Sequence, residues 1–518
     1  MNRAKAPLTP LHGAALTMAA IGVSLATFMQ VLDTTIANVC VPTIAGNLGV
    51  STQQGVWIIT SFGVSSAISM PLTGRLAERF GQVRLFMYMM TLFVIASFLC
   101  GIAPNMQMLV AARVLHGAVA GPLMPLSQSL ILAIYPGQKR GHALALWSTI
   151  AVVAPIVGPI LGGFIADNAS WPWIFFINVP VGIVALVLAY STLHRMESAL
   201  RRPPLDLGGL LLLATWVGAL QVFLDLGTDE NWFDSNLIIG LAIFTLIGFA
   251  LFLIWELTDE HPIVDLSLFR NRNFVVGVVG GGLLYATFFG GTVLLPLVLQ
   301  TQLGYTATWA GLVLAPVGIL PVLTARIVGR NMHRWDPRVM ITAALVVMAI
   351  VMWMRDRFST DVDLWTLMLP QFVLGIGIVL MSTPLNALIL SWVTSEHTAG
   401  ALGISMFTRV AMGSFGASVF TSLWQHRQAI HHTRLAESIT IFSPTWTEAM
   451  RTLMAHGFSQ QQAYALMEAS LSQQSYMMAA DDVFWIAGWA SLALVGVYWF
   501  ARPPFMRTAV AAMAAPVD

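Results

Sequence analysis

The sequence has 518 residues, of which 57% are hydrophobic and 9% are charged, and its formal net charge is +1. A soluble domain averages about 25% charged residues, so this chain has too few charges to cover globular surfaces. The apolar residues come in blocks of about 18 or more, the length that crosses a hydrocarbon core of about 30 Å. The composition therefore predicts an all-α protein integral to the lipid bilayer, and no basic block suggests nucleic-acid binding.

The first apolar run resembles a signal peptide, because Arg3 and Lys5 precede it. The run is long, contains Asp33, lacks a convincing cleavage site and leads into further spans, so we expect a retained first helix. Cys40 and Cys100 both fall in apolar helices, which indicates neither a disulfide framework nor a metal site.

Hydropathy and helix-breaking residues predict fourteen membrane spans, an even number that places both termini on one side. The predicted spans are residues 14–43, 55–76, 84–103, 107–134, 142–167, 172–193, 207–225, 236–257, 273–301, 307–328, 338–354, 364–392, 399–424 and 483–501.

The distribution of basic residues predicts cytoplasmic termini. With that orientation, 18 of the 25 Lys and Arg residues lie in the termini or in cytoplasmic loops, as the positive-inside rule requires. Arg113 and Arg409 are then the only basic residues within spans. The remaining five lie outside the cytoplasm: Arg355, Arg357, Arg427, Arg434 and Arg451.

Two loops share a pattern that suggests two related halves. GRLAERF at residues 74–80 and GRNMHRW at 329–335 each begin with Gly-Arg and place a second Arg four residues after the first. Repeated halves around a central cavity are a common transporter plan. We therefore expect a six-helix half, a pair of inserted helices and a second six-helix half that includes an extracytoplasmic loop. Their residues are 1–193, 194–272, 273–518 and, for the loop, 425–482.

The first span contains a carboxylate, Asp33. A charge at the centre of a lone membrane helix costs about 2.5–3.5 kcal/mol on insertion scales, so such residues face a partner or a cavity. One interpretation is a buried pair with Arg113 that only locks spans 1 and 4 together. The other is that Asp33 lines the central cavity and exchanges a proton for substrate.

Other side chains are candidates for a substrate cavity. Phe28, Met29 and Gln30 flank Asp33, and soft methionines and aromatic rings suit a promiscuous apolar pocket, although they suit any bundle interior equally. Arg409 lies on an apolar helix, where it either faces the cavity or is a packing or snorkelling arginine.

The loop after span 2 contains GRLAERFGQVR at residues 74–84. Its glycines permit a tight interhelical turn, and its alternating charges can pair with helix ends and hold one conformation of the bundle. The alternative is an ordinary positive-inside loop. The candidate gating residues of this loop are Gly74, Arg75, Glu78, Arg79 and Gly81.

Span 5 contains GPILGG at residues 158–163. Gly158 and Gly162 lie four residues apart, so a neighbouring helix can approach closely, and Pro159 should bend the helix. Together with Gly163 they are candidates for a role in conformational gating, with simple packing as the alternative.

The segment 425–482 is the only sizeable polar stretch, and on the predicted topology it lies outside the cytoplasm. Its signals predict two short helices: the first starts at Pro444 after Ser443 with a capping box of Thr445 and Glu448, and the second restarts after Gly457. The restart carries Ser459 and Gln462. We expect either a self-packed cap or a docking surface for a partner. His426, His431 and His432 point to different faces of a helix, so we expect no metal site.

These motifs together resemble the EmrB/QacA family of fourteen-span drug:proton antiporters, within the major facilitator group. The similarity runs from about residue 15 to residue 505, and its motifs are specific as a set. They are LDTTIANVCVP at 32–42, residues 74–84, LVAARVLHGAVAG at 109–121, residues 158–163, WPWIFFINVPVG at 171–182, LD at 224–225 and PIVDL at 262–266. Glu78 stands where the family usually has Asp, and His116 where Gln is usual.

The resemblance implies proton-coupled efflux of hydrophobic drugs across the cytoplasmic (inner) membrane, with alternating access between the two halves. It assigns proton coupling to Asp33 and Arg113, and it implies no cofactor because a proton gradient drives transport. It also implies a membrane-fusion adaptor of the EmrA type and, through it, an outer-membrane channel of the TolC type. Two other classes stay open: a membrane sensor that does not transport, and a polytopic membrane enzyme, for which no acid/base or metal constellation is evident.

Overall fold

The computed structural model describes most of the chain, and every structural statement below concerns the described residues. These are 6–7, 10–135, 140–198, 200, 204, 206–260, 262–324, 335–393, 398–439, 443–503 and 505, without the side chains of 6, 7, 140–152, 383, 398, 399 and 438. The second copy of the Gly-Arg pattern, at 329–334, lies outside this part of the chain.

The first nine helices form the N-terminal part of the molecule. They are α1 (Gly13–Leu48), α2 (Thr52–Ser69), α3 (Thr73–Phe80), α4 (Gln82–Gly101), α5 (Met106–Ala120), α6 (Leu123–Ile134), α7 (Arg140–Asn168), α8 (Trp173–Phe176) and α9 (Asn178–Leu193). Side chains cap several of them: the hydroxyl of Ser51 accepts from the backbone N–H of Gln54, and the amide oxygen of Asn105 from that of Met108.

An inserted pair and the C-terminal helices follow. They are α10 (Leu207–Leu226), α11 (Asn236–Thr258), α12 (Arg272–Thr301), α13 (Ala307–Leu314), α14 (Pro337–Arg355), α15 (Leu364–Leu390), α16 (Thr398–Ser438), α17 (Pro444–Ala455) and α18 (Gln460–Trp499). The strands β1 (Ala6–Pro7) and β2 (Met196–Glu197) form a two-residue parallel pair. The predicted all-α membrane fold is thus confirmed.

Twelve helices of the described chain are long and apolar enough to cross a membrane. The other two predicted spans, 142–167 and 399–424, coincide with α7 and α16, and the described apolar part of α7 is Val153–Asn168. The count of fourteen crossings stays a prediction.

The two halves pack together at the ends that the predicted topology places outside the cytoplasm. One apolar cluster combines Val39 and Val41 of α1 with Val298 of α12 and Ala307 of α13. The side-chain amide of Gln300 donates to the backbone oxygen of Val39 across 2.7 Å. The outer side of the bundle is therefore closed in this structure.

The segment 425–482 differs from its prediction. The first short helix begins at Pro444, as expected, but its N-cap is Ser443 and Thr445 lies inside the helix, so the predicted capping box of Thr445 and Glu448 is wrong. The second start carries the predicted Ser459 and Gln462 capping box, yet the helix continues without a break into the last span. The helices α16 and α18 contain 41 and 40 residues, about twice the length that crosses a hydrocarbon core, and their polar residues bind one another.

Contacts between α16 and α18 hold this helical hairpin, which we define as residues 425–438 together with 460–482. Arg427 and His431 both bind the carboxylate of Asp482, at 2.5 and 2.6 Å. His432 binds Glu468 across 2.8 Å. Two of the three histidines considered for metal binding therefore have carboxylate partners.

Candidate functional site

The carboxylate in the first span lies at the centre of a buried polar cluster. One oxygen of Asp33 accepts from Nη1 of Arg113 on α5 across 2.5 Å, and the other accepts from the side-chain amide of Asn178 on α9 across 3.1 Å. The side chains of Asp33 and Arg113 are fully buried. Three helices of the N-terminal half thus converge on one carboxylate.

Arg113 is fixed by more than its carboxylate. Its Nε donates to the backbone oxygen of Ile58 on α2 across 2.9 Å, and its guanidinium lies 4.1 Å from the centre of the Phe62 ring. A guanidinium over an aromatic face gains a cation–π attraction, which is strongest where water is excluded. Arg113 therefore links α1, α2 and α5 at one point.

His116 joins the same cluster. Its Nδ1 lies 3.1 Å from Nη1 of Arg113 and 3.8 Å from the Asp33 carboxylate. Because an arginine only donates, Nδ1 must be the acceptor, which places the ring proton of the neutral imidazole on Nε2. Nε2 is buried without a hydrogen-bond partner, and the ring of Phe93 lies 4.3 Å away between centres.

The sequence analysis did not single out Asn178 or Ser97. The Asn178 amide also donates to the hydroxyl of Ser97 across 3.0 Å, and Ser97 donates to the backbone oxygen of Phe175. The only signal available was the position of Asn178 inside WPWIFFINVPVG, where an amide interrupts apolar residues. Asn178 binds the carboxylate oxygen of Asp33 that Arg113 does not bind.

The contacts of Asp33 offset the cost of burying its charge. A buried ion pair is favourable only when its geometry and additional hydrogen bonds offset the loss of water. Asp33 accepts two charge-assisted bonds, so its anion is well held, and protonation would weaken both of them. In this structure Asp33 has no exposed surface, so its lining of an open cavity stays a prediction for another conformation.

The residues that flank Asp33 have different surroundings in the structure. Met29 has no exposed surface and packs in the apolar core of the N-terminal half. Gln30 is 6% exposed, and its side-chain oxygen is buried without a partner. Phe28 is half-buried. Their assignment to a substrate cavity stays a prediction, with the unpartnered Gln30 oxygen as the position most open to a polar ligand group.

Arg409 lies in the other half and has different neighbours. Its guanidinium donates to the side-chain oxygen of Asn386 across 2.5 Å and to the hydroxyl of Ser405 across 2.7 Å, and it lies 5.6 Å from the centre of the Tyr285 ring. It is 8% exposed, and no described carboxylate pairs with it. Arg409 is thus a buried cation held by neutral groups.

A third buried arginine was missed. Arg355, which the sequence analysis placed outside the membrane, is the last residue of α14 and is 1% exposed. Its Nη1 donates weakly to the backbone oxygen of Gly291, and its Nε has no partner. The sequence analysis did not foresee this burial, because hydropathy cannot separate an arginine packed at a span end from one in a solvated loop.

The loop motif is anchored to neighbouring segments at two positions. Gly81 has a φ of +89°, and a Cβ atom there would lie 2.2 Å from the Glu197 side chain, so both its conformation and its space require glycine. Glu197 accepts from the first backbone N–H groups of α4, at Val83 and Arg84. Arg75 donates to the backbone oxygen of Pro262, beside the inserted pair.

The other predicted gating residues of this loop lie at the surface. Gly74, Glu78 and Arg79 are exposed, and a Cβ atom on Gly74 would meet nothing within 4 Å. Their predicted role in conformational gating therefore depends on contacts of another state, and it stays a prediction.

The glycines of GPILGG contact both halves. A Cβ atom on Gly158 would lie 2.0 Å from Oγ1 of Thr35 on α1, and one on Gly163 would lie 2.2 Å from the backbone oxygen of Ala307 on α13. Gly162 accepts at its backbone oxygen from the thiol of Cys40. Close packing without side chains thus joins span 5 to span 1 and to the C-terminal half.

Pro159 and Asp167 extend this contact. A Cβ atom on Gly311 of α13 would lie 2.1 Å from the backbone oxygen of Pro159. Farther along α7, the carboxylate of Asp167 accepts from the backbone N–H groups of Ala307 and Thr308, the latter across 2.7 Å. The predicted gating motif therefore lies on the closed outer interface between the halves.

A match to a protein-family sequence model identifies the superfamily of this chain. The sequence model of the Major Facilitator Superfamily matches residues 23–417. This chain belongs to that superfamily. The two halves are therefore those of a major facilitator protein, a multi-pass membrane protein, and the helices α10 and α11 lie between them in the chain.

Several relatives are similar over nearly their whole length. The Fatty acid resistance protein FarB of Neisseria gonorrhoeae is 47% identical over 96% of this chain and 98% of its own length. The Multidrug export protein EmrB of Escherichia coli strain K12 is 47% identical over 96% of this chain and 97% of its own. The resemblance to EmrB-type proteins noted from the motifs is confirmed.

Solved structures support the fold alone. A peptide transporter POT in complex with sulfate matches with a TM-score of 0.62 at 14% identity, covering 96% of this chain and 98% of that one. A bacterial homolog of the human lysosomal transporter Spinster, in an inward-facing and occupied conformation, also matches with a TM-score of 0.62, at 13% identity and covering 95% and 97%.

Proposed function

We propose that this protein exports hydrophobic toxic compounds across the cytoplasmic membrane in exchange for protons. The support is its 47% identity to the Multidrug export protein EmrB together with the buried carboxylate cluster around Asp33. The relatives are named for export and resistance, and the fold family is one of transporters, which favours transport over a membrane enzyme or a sensor.

In the proposed cycle Asp33 carries the proton. When it is charged, Arg113 and Asn178 hold it and tie α1 to α5 and α9. A proton from the outside would neutralise it, weaken both bonds and release the guanidinium of Arg113 for other contacts. Substrate leaves as this proton enters, and release of the proton inside restores the ion pair. No nucleotide or other cofactor takes part.

The proposed orientation has both termini in the cytoplasm and the helical hairpin outside. We further propose that the hairpin and α17 dock a periplasmic adaptor of the EmrA type, which leads to an outer-membrane channel of the TolC type. Exposed apolar side chains support this: Met454, Phe458 and Tyr464 are each at least 40% exposed. Such side chains on a polar extramembrane segment suit a protein partner.

Transport is tested with the purified protein in proteoliposomes. An imposed pH gradient, acidic on the side that corresponds to the outside, should drive uptake of a fluorescent hydrophobic drug, and drug addition should release protons in the opposite direction. A deletion strain should show increased susceptibility to several unrelated hydrophobic compounds. Drug movement that ignores the pH gradient would contradict the proposed coupling, and unchanged susceptibility would contradict multidrug export.

Adaptor docking is tested separately. Replacing residues 443–470 by a Gly/Ser linker should abolish co-purification of the adaptor and whole-cell resistance, while proton-coupled transport in proteoliposomes persists. A linker that replaces only the described turn 456–459 is the matched control. An adaptor that still co-purifies with the 443–470 variant would place its docking site on the membrane helices.

A further inference from the structure

Asp225 is a second carboxylate within the membrane, on the inserted helix α10. It is the second-last residue of that helix and is partly buried. The family resemblance drew attention to it as part of the LD pair, but the proposed function gives it no role. Because α10 runs outward on the predicted topology, Asp225 lies toward the outer face of the membrane.

The carboxylate of Asp225 joins three structural units. One oxygen accepts from the hydroxyl of Thr60 on α2 across 3.0 Å, and the other accepts from the hydroxyl of Ser418 on α16. The second oxygen also accepts from the side-chain amide of Gln221 across 2.8 Å. Since α2 belongs to the N-terminal half and α16 to the C-terminal half, this one side chain bridges both halves through the inserted helix.

The bridge is built from buried partners. Thr60 has no exposed surface, Ser418 is 2% exposed and Gln221 is 4% exposed. Gln221 also donates to the hydroxyl of Ser418 across 2.7 Å, so two of the partners of Asp225 bind each other as well. Buried polar groups in such a network are costly to leave unpaired, so the network favours one relative position of the three helices.

In the described part of the chain, the groups that hydrogen-bond to the Asp225 carboxylate are neutral. The facing partners are the hydroxyls on α2 and α16 and the amide on α10 itself, and α2 contains no ionisable residue. The only ionisable residue of α11, Glu256, lies near the opposite end of the helix pair. The charged residues nearest along the chain, Asp229 and Glu230, lie on the exposed loop that follows α10.

We propose that Asp225 is a proton-binding site separate from Asp33, and that its charge controls whether α2 and α16 stay joined at the outer side. The inference rests on the proposed proton-driven function. As an anion, Asp225 accepts three charge-assisted hydrogen bonds, which are roughly twice as strong as neutral ones. A proton from external water forms an O–H bond on one carboxyl oxygen, weakens these bonds and releases the bridge.

This site acts on the interface that must open. The outer ends of the halves are in contact in this structure, and a Cβ atom on Gly63 of α2 would lie 2.1 Å from the hydroxyl of Ser414 on α16. Acid on the outer side therefore favours separation of α2 from α16, and loss of the proton favours closure. The inserted helices thereby gain a role in opening rather than serving as a spacer.

The charge of Asp225 is tested by infrared titration of the purified protein in lipid nanodiscs. The wild-type protein and Asp33→Asn should show a carboxyl band that titrates with pH and that is missing in Asp225→Asn. The exposed neighbour Asp229→Asn is the matched control and should keep that band. An unchanged titration in Asp225→Asn would overturn the proposal.

The bridge is tested by spin labels on Gln54→Cys and His426→Cys, at the outer parts of α2 and α16, in a background without native cysteines. Acidification should lengthen the distance between the labels when Asp225 is present. The Asp225→Asn variant should stay at the longer distance at every pH, and a wild-type pH response in that variant would overturn the proposal.

A second variant keeps the test decisive if Asp225→Asn does not insert. Ser418→Ala retains the carboxylate but removes the bond to α16, so the label distance should again lose its pH response. An unaltered response in Ser418→Ala would refute the bridge. Both readouts are independent of drug transport, so a failure of proton-coupled export leaves the result on Asp225 interpretable, and the reverse also holds.

Discussion

Both halves of the molecule bury an arginine that lies within a predicted span, but the two arginines have different hydrogen-bond partners. In the N-terminal half Arg113 pairs with the carboxylate of Asp33, whereas in the C-terminal half Arg409 binds the neutral side chains of Asn386 and Ser405. Only the first pair can be neutralised by one proton. The predicted proton coupling therefore belongs to the N-terminal half, whereas Arg409 in the C-terminal half is a cation held by neutral groups.

This asymmetry has a simple electrostatic basis. Removing an ion from water is costly, and a partner of opposite charge offsets the cost only with good geometry. Arg113 has such a partner, and Arg409 has hydrogen bonds and the face of Tyr285 instead. A charge left without a counter-ion remains available to an anionic group of another molecule. Substitutions on the two sides can therefore separate proton coupling from substrate interaction.

The largest effect is expected for Asp33→Asn. The amide removes the negative charge but keeps the size of the side chain, so the protein should insert normally and lose proton-coupled efflux. A gradient of one pH unit is worth about 1.4 kcal/mol per proton, which the variant cannot use. Drug uptake into proteoliposomes with and without a pH gradient measures this. Wild-type drug resistance in cells that express Asp33→Asn would contradict the assignment of proton coupling to the N-terminal half.

The next effect is a difference in stability between Arg113→Gln and Arg409→Gln. Arg113→Gln leaves Asp33 charged and unpaired, and removing one partner of a buried ion pair costs about 3–5 kcal/mol. Arg409→Gln leaves only neutral partners, so we expect a loss of about 1–3 kcal/mol. Thermal unfolding of both variants in the same detergent gives the comparison, and the double variant Asp33→Asn with Arg113→Gln should recover part of the loss. Equal destabilisation would show that Arg409 has an ionic partner after all.

A smaller effect should distinguish substrates. If the positive charge of Arg409 attracts anionic groups, Arg409→Gln should weaken binding of hydrophobic acids by roughly tenfold, equivalent to about 1.4 kcal/mol, while hydrophobic cations bind as in the wild type. Fluorescence titrations with a matched acid and cation test this. Arg409→Lys should restore part of the affinity. An equal change for both ligands would assign Arg409 to packing alone.

The smallest effect is expected for His116→Gln. Nδ1 of His116 accepts from Arg113 and lies 4.0 Å from the thiol sulfur of Cys100, and the side-chain oxygen of glutamine can accept in the same way. Transport should stay within about threefold of wild type, a change of less than 1 kcal/mol. His116→Leu removes the acceptor and is the contrasting variant. A large loss with glutamine would show that the imidazole itself takes part in proton transfer.

The sequence predicted the pair Asp33–Arg113 because each is an isolated charge in an apolar helix, and isolated charges of opposite sign in a membrane find each other. It did not predict Asn178, because an amide beside an aromatic motif carries no periodic signal. Glu197 was missed for a related reason: its function as a cap of α4 depends on a segment more than one hundred residues earlier in the chain.

Some helix boundaries depend on neighbouring residues and could be predicted, whereas others depend on contacts with distant residues and could not. Pro444 and the Ser459–Gln462 capping box are local, and both were located correctly. The continuation of α16 to Ser438 was not, because Arg427 and His431 look like loop residues until Asp482 from the other helix lies beside them. Arg355 likewise became a buried residue only through the packing of Phe484 and Met352 around it.

Because α16 is long, a small tilt of this helix moves its end by a large distance. It contains 41 residues without a break, so at 1.5 Å per residue it extends for roughly 60 Å from Thr398 to the tip of the hairpin. A rigid rod of this length amplifies rotation: a tilt of about ten degrees around one end displaces the other by roughly 10 Å. On the predicted topology, the tip at Ser438 would therefore move outside the membrane when the intramembrane part of the same helix tilts.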